Sequence, residues 1–164
     1  TTNLTIGSTN TSTITMPNGK LTGHMYPAFE ASDSSSFQTL TASTTTKLTF
    51  DTEVFDEGGD YDAANSKFVC SVAGKYYFTY KFEGYSGNST LQRTGALIYK
   101  NGVSQYGTQT YFTSSGSIVH VMNQNYILDL VATDYVEIYG ILQVGSGTTN
   151  RIYFKEFMGY RIGA

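Results

Sequence analysis

Phe68-Val69-Cys70-Ser71-Val72-Ala73-Gly74-Lys75-Tyr76-Tyr77-Phe78-Thr79-Tyr80-Lys81-Phe82 decides the fold of this chain. From Gly74 onward the even positions Tyr76, Phe78, Tyr80 and Phe82 are all aromatic, while Tyr77, Thr79 and Lys81 stand between them. A period of two in aromatic and β-branched residues predicts a strand with one face against a core. Four large rings on one face bury on the order of 600–1,000 Å² at roughly 150–250 Å² per ring, enough to anchor a domain. The rest of the chain is expected to supply strands that cover this one.

Composition agrees. Charged residues are 14% of the 164, Trp is absent, and Thr, Ser, Gly, Asn and Tyr are abundant. Such residues fit pleated sheets and tight turns, and no window carries a capped helical period. The net charge is −3 and the ten basic residues are scattered, so the electrostatic footprint of a nucleic-acid binder is missing. No apolar run approaches the ~18 residues of a spanning helix, so no membrane insertion is expected. The chain opens Thr-Thr without Met, the expectation for a processed product or a piece of a longer polypeptide. Cys70 is the one cysteine and reads as a small buried hydrophobe.

Outward from the central stretch, turn signals recur every 8–14 residues. Asp51 to Asp62 holds six of the thirteen acidic residues around Gly58-Gly59 and reads as a loop. Asn101-Gly102 predicts a hairpin between Ala96–Lys100 and Val103–Tyr106. Ser117–Met122 and Tyr126–Val131 read as two strands around Asn123-Gln124-Asn125, and Gly84–Asn88 as a turn. The count is nine or ten short strands, a sandwich or jelly roll. Residues 1–25 differ: Leu4, Ile6, Ile14 and Met16 alternate with polar residues, the pattern of an ordered β-stalk or collar. The globular part is expected to occupy 26–164.

Phe50, Asp56, Tyr61, Phe68, Gly74, Tyr76, Phe78 and Tyr80 fall at a family spacing within 31 residues. This pattern resembles the complement C1q globular head of the C1q/tumour-necrosis-factor-like superfamily. Lys100-Asn101-Gly102 looks like the family's turn, and Phe157-Met158-Gly159-Tyr160 like its closing strand. The resemblance implies an all-β, ten-stranded jelly-roll sandwich that assembles as a homotrimer, with Phe157, Gly159 and Tyr160 joining the core and signature set. With twenty-four Tyr and Phe in so short a chain, part of the aromatic surplus is expected between subunits. Family members usually follow a collagen-like Gly-X-Y stalk, which this sequence lacks. Residues 1–25 resemble the repetitive β-stalks of bacteriophage virion fibres.

Chemistry is sparse. His24 and His120 fall in no metal spacing or triad context, and no nucleophile elbow, phosphate loop or CxxC is present. No catalytic residue is assigned, and a glycan-processing enzyme lacks its paired carboxylates. Asp56, Glu57, Asp60 and Asp62 offer oxygen ligands on a flexible turn, a candidate Ca²⁺ site without EF-hand spacing and the one candidate for a cofactor. Tyr85, Asn88, Tyr106, Gln109 and Tyr111 mix rings with small polar groups, as binding loops do. The expected function is a structural or receptor-binding head of a virion fibre or tail appendage, touching a host-surface glycan or protein and joining other virion proteins through its N-terminal segment. The alternative is a secreted, extracellular pattern-recognition or adhesion protein with the same head.

Overall fold

The structure, a computed structural model, describes residues 27–87, 91–111, 118–145 and 150–163, with side chains described for these except 108–111. Residues 1–25, expected as a stalk, lie outside it. Twelve strands are present among the described residues: β1 (Ala28–Ser32), β2 (Gln38–Thr39), β3 (Thr46–Lys47), β4 (Thr52–Asp56), β5 (Tyr61–Asp62), β6 (Lys67–Val69), β7 (Gly74–Tyr85), β8 (Leu91–Lys100), β9 (Val103–Tyr111), β10 (Val119–Leu130), β11 (Tyr135–Val144) and β12 (Arg151–Gly163). One sheet runs β10-β7-β12-β1-β4 with β2 also on β12; the other runs β5-β6-β11-β8-β9 with β3 also on β11. This is the expected all-β jelly-roll sandwich. The count exceeds ten because β2, β3 and β5 are two-residue strands.

β7 follows its sequence pattern residue by residue. Tyr76, Phe78, Tyr80 and Phe82 are each at most 1% exposed, and the odd positions face out. Across the sandwich Phe29 stacks on Tyr61 at 4.9 Å and on Phe68 at 5.1 Å, and takes the edge of Phe157 at 4.9 Å. Phe78 closes the cluster against Phe68 at 5.5 Å. Tyr61 is buried because its hydroxyl donates to the Phe50 carbonyl at 2.7 Å, which satisfies the polar tip of an otherwise apolar ring. Cys70 is buried as expected; burial pushes its thiol pKa up.

Two glycines permit this packing. A Cβ on Gly159 would sit 2.5 Å from Cδ1 of Phe78, so β12 reaches the ring cluster only without a side chain there. Gly74 starts β7 at φ +150°, where a Cβ would lie 2.3 Å from the Gly163 carbonyl. At the other end of β8, Asn101 and Gly102 both have positive φ (+52° and +76°), the turn the sequence predicts.

Three expectations need correction. Asp51–Asp62 is not all loop: Thr52–Asp56 is β4, paired with β1. Asn123-Gln124-Asn125 is no turn, because β10 is continuous and every residue from Val119 to Leu130 pairs with β7. Gly84 and Tyr85 likewise extend β7 rather than begin a turn.

The turn between β10 and β11 carries one strong electrostatic constraint. Asp134, 7% exposed, accepts from Lys100 at 2.7 Å, Asn101 Nδ2 at 2.6 Å and the Val131 N–H at 2.8 Å. Burial pushes its carboxyl pKa up, but these hydrogen bonds and the Lys100 charge outweigh it and hold the value at about 2. A depressed carboxylate pKa stabilises the fold above its unfolded value near 4, and that contribution disappears as pH falls toward 2. Thermal melts between pH 5 and pH 2 are expected to show this limb, worth on the order of 1–2 kcal/mol, and Asp134→Asn to remove it. Gly159→Ala is expected to destabilise by about 1–3 kcal/mol through overpacking, lowering the melting temperature by roughly 3–10 °C at this chain length. Gly163→Ala, whose Cβ meets no atom within 4 Å, is the control.

Candidate recognition surfaces

The residues that face away from the core on the β10-β7-β12-β1-β4 sheet form ordered rows, because cross-strand neighbours share a face. One row runs Ile127, Tyr77, Tyr160, Ala28 across four strands. The Tyr77 and Tyr160 rings lie 5.4 Å apart. The next row runs Asn125, Thr79, Met158, Glu30, Phe55 and is mixed, but an apolar groove of about 200 Å³ lies between Phe55, Tyr77, Met158 and Tyr160. Ile127 remains 57% exposed and Tyr160 49%. Beyond this band the face turns polar at Lys81 and Glu156, paired at 2.8 Å. Tyr160 therefore belongs to the surface, not to the core expected for it. Tyr77, Ile127 and Met158 were not singled out from the sequence, although the odd positions of β7 carried the signal.

The acidic turn is a set of caps. Asp56 accepts from the N–H groups of Gly59 at 3.1 Å and Tyr61 at 2.8 Å. Asp60 accepts from Ser71 at 3.0 Å. Asp62 accepts from the Asn65 N–H and side chain at the start of a 3₁₀ turn, bonds that hold its carboxyl below the usual range, and faces Lys67 at 3.8 Å. Glu57 is exposed. Among the described residues no three of His, Cys, Asp and Glu are placed to hold one metal ion, so the expected calcium quartet is not assembled.

The expected binding loop at 105–112 is, through Tyr111, part of edge strand β9. Tyr106 is 58% exposed and stacks on Tyr126 at 5.2 Å, which stacks in turn on buried Tyr80. Gln109 and Tyr111 lie on β9, but their side chains, like all of Asn88, fall outside the described set. Tyr85 ends β7 with its ring edge-on to Tyr153 at 5.8 Å. The sequence signature thus divides: Phe50, Tyr61, Phe68, Tyr76, Phe78, Tyr80 and Phe157 are core, Gly74 and Gly159 are contact points, and Asp56 is a turn cap.

The model of the C1q domain matches residues 28–160, from the start of β1 nearly to the end of β12. The chain belongs to the C1q domain family. Complement C1q tumor necrosis factor-related protein 2 of Mus musculus is 58% identical over 70 residues, 43% of this chain and 21% of that protein. Related protein 5 of Rattus norvegicus is 26% identical over 121 residues, 68% of this chain and 48% of its own. The chain thus spans about half or less of the length of these relatives. The globular domain of zebrafish complement 1qA has the same fold, with a TM-score of 0.59 at 23% identity, covering 83% of this chain and 97% of the other.

Within this C1q domain Asp56 and Asp62 already hold backbone N–H donors and Asp60 the Ser71 hydroxyl. Millimolar Ca²⁺ is therefore expected to leave the melting temperature unchanged, and calorimetric heat with a raised melting point would show otherwise.

Proposed function

We propose that this C1q domain is a non-catalytic recognition head that works as a homotrimer, with the segment 1–25 leading into it as a stalk or collar. The observation that carries the reading is the apolar band of Ile127, Tyr77, Tyr160 and Met158 on one sheet. Of the twenty-one Tyr and Phe whose side chains are described, nine are among the buried core residues. A band of this kind on a soluble head is covered by something, and in a trimer a neighbouring copy covers it. Recognition then falls to surfaces outside the band, toward a cell-surface glycan or protein.

The relatives favour an extracellular recognition or adhesion protein over a virion fibre head. They are animal proteins with complement C1q or C1q-related names. The fibre reading rests on residues 1–25, which lie outside both the matched span and the described residues.

Light scattering on the full chain at micromolar concentration is expected to give about three times the 18.0 kDa mass of one chain. Ile127→Lys and Tyr160→Lys are expected to release monomers, because each places a charge in the sealed band. Val103→Lys, at a 63% exposed position on the other sheet, is expected to leave the assembly intact. A stable wild-type monomer would refute the proposal.

A further inference from the structure

β1 and β2 pair along the same edge of β12, Ser32 opposite Glu156 and Gln38 opposite Ile152. Between these pairs the loop 33–37 bows away from β12, and the register of β12 on β7 shifts between Tyr153 and Glu156. The result is a pocket of about 270 Å³. Its lining includes Asp33 and Lys155, and the Lys155 ammonium, 2% exposed as a residue, is paired with the Asp33 carboxylate and donates to Gln38 Oε1 at 3.0 Å. Ser35, Ser36 and Glu156 also line it; the Ser35 hydroxyl donates to Asp33 at 2.7 Å, and the Glu156 carboxylate is paired with Lys81.

Phe154 completes the lining, and the fold alone gives no reason for a phenylalanine there. Its φ is +48°, a left-handed conformation that glycine or asparagine adopts at lower cost than a bulky side chain. The residue is 75% exposed, so burial returns little for the strain. Tyr153 packs beside it at 6.3 Å, which helps to hold the ring in one orientation. Phe154 also stands six residues, or about 20 Å, along β12 from Tyr160, beyond the Lys81–Glu156 pair, and so apart from the apolar band.

We propose that this pocket is a subsite for a single neutral sugar ring of a glycan. An exposed aromatic face beside hydroxyl and carboxylate groups matches a pyranose, which presents C–H bonds on one face and hydroxyls at its rim. The volume is near the lower end for small-ligand sites and fits one ring rather than a chain. Two carboxylates, Asp33 and Glu156, are each matched by a lysine, Lys155 and Lys81, so the pocket offers no net charge to select a sulfated or sialylated sugar. The subsite deepens the recognition-head reading by naming where and what the head binds. Light scattering tests the assembly and sugar binding tests the site, so either can fail alone.

Saturation-transfer NMR on the full chain, with glucose, galactose, mannose, N-acetylglucosamine and fucose at millimolar concentration, is the direct test. At least one sugar is expected to receive saturation. Phe154→Gly is expected to weaken binding at least tenfold while the melting temperature stays the same or rises and the oligomeric mass is unchanged. Ser36→Ala, at an exposed position, is expected to weaken binding without altering stability. No transfer to any of these sugars, wild-type binding by Phe154→Gly, or binding confined to sulfated or sialylated glycans on an array would overturn the proposal. So would a change of oligomeric mass in Phe154→Gly, which would make the ring a subunit contact instead.

Discussion

Phe78 packs against the bare backbone of Gly159 on β12, and the sandwich depends on that contact. With a side chain at 159, β12 would have to lift away from β7 or the ring would have to turn. Either change propagates, because Phe78 packs on Phe68 and Phe157, and both of these reach Phe29. Two sheets are thus tied by one lattice of rings. The lattice is dense because aromatic pairs at 5–6 Å in tilted or edge geometry add attraction to the burial of area.

The period of two that builds the core also builds the opposite face. Even residues of β7 are sealed inside, so Tyr77 and Thr79 must stand outside, beside Ile127 and Tyr160 on neighbouring strands. Core and assembly surface are two sides of one ladder. A slip of one residue in the β7–β12 register would exchange them, and the Phe78–Gly159 contact helps to forbid that slip.

Much of this was legible in the chain because it is local. Ring alternation from Tyr76 to Phe82 and the paired positive φ at Asn101-Gly102 need no distant partner to be read. The errors came where a distant partner decides. Thr52–Asp56 lies in an acid-rich, exposed stretch, yet β1 offers it a ladder and it becomes an edge strand. Asn123–Asn125 reads as a turn until the complete pairing with β7 is seen. Asp56, Asp60 and Asp62 look like ligands because sequence shows carboxylates but not the N–H and O–H donors that claim them. Phe154 carried no signal at all, since a left-handed phenylalanine is visible only in the backbone.

Pro27 and Gly163 lie at the same end of the sandwich. The Pro27 carbonyl accepts from the Arg161 N–H at 3.0 Å, and Gly163 pairs with Lys75 at the start of β7. Entry and exit thus share one pole. A fusion partner attached at either point would leave the opposite pole and the long edges unobstructed, so the unit is suited to transplantation onto unrelated shafts.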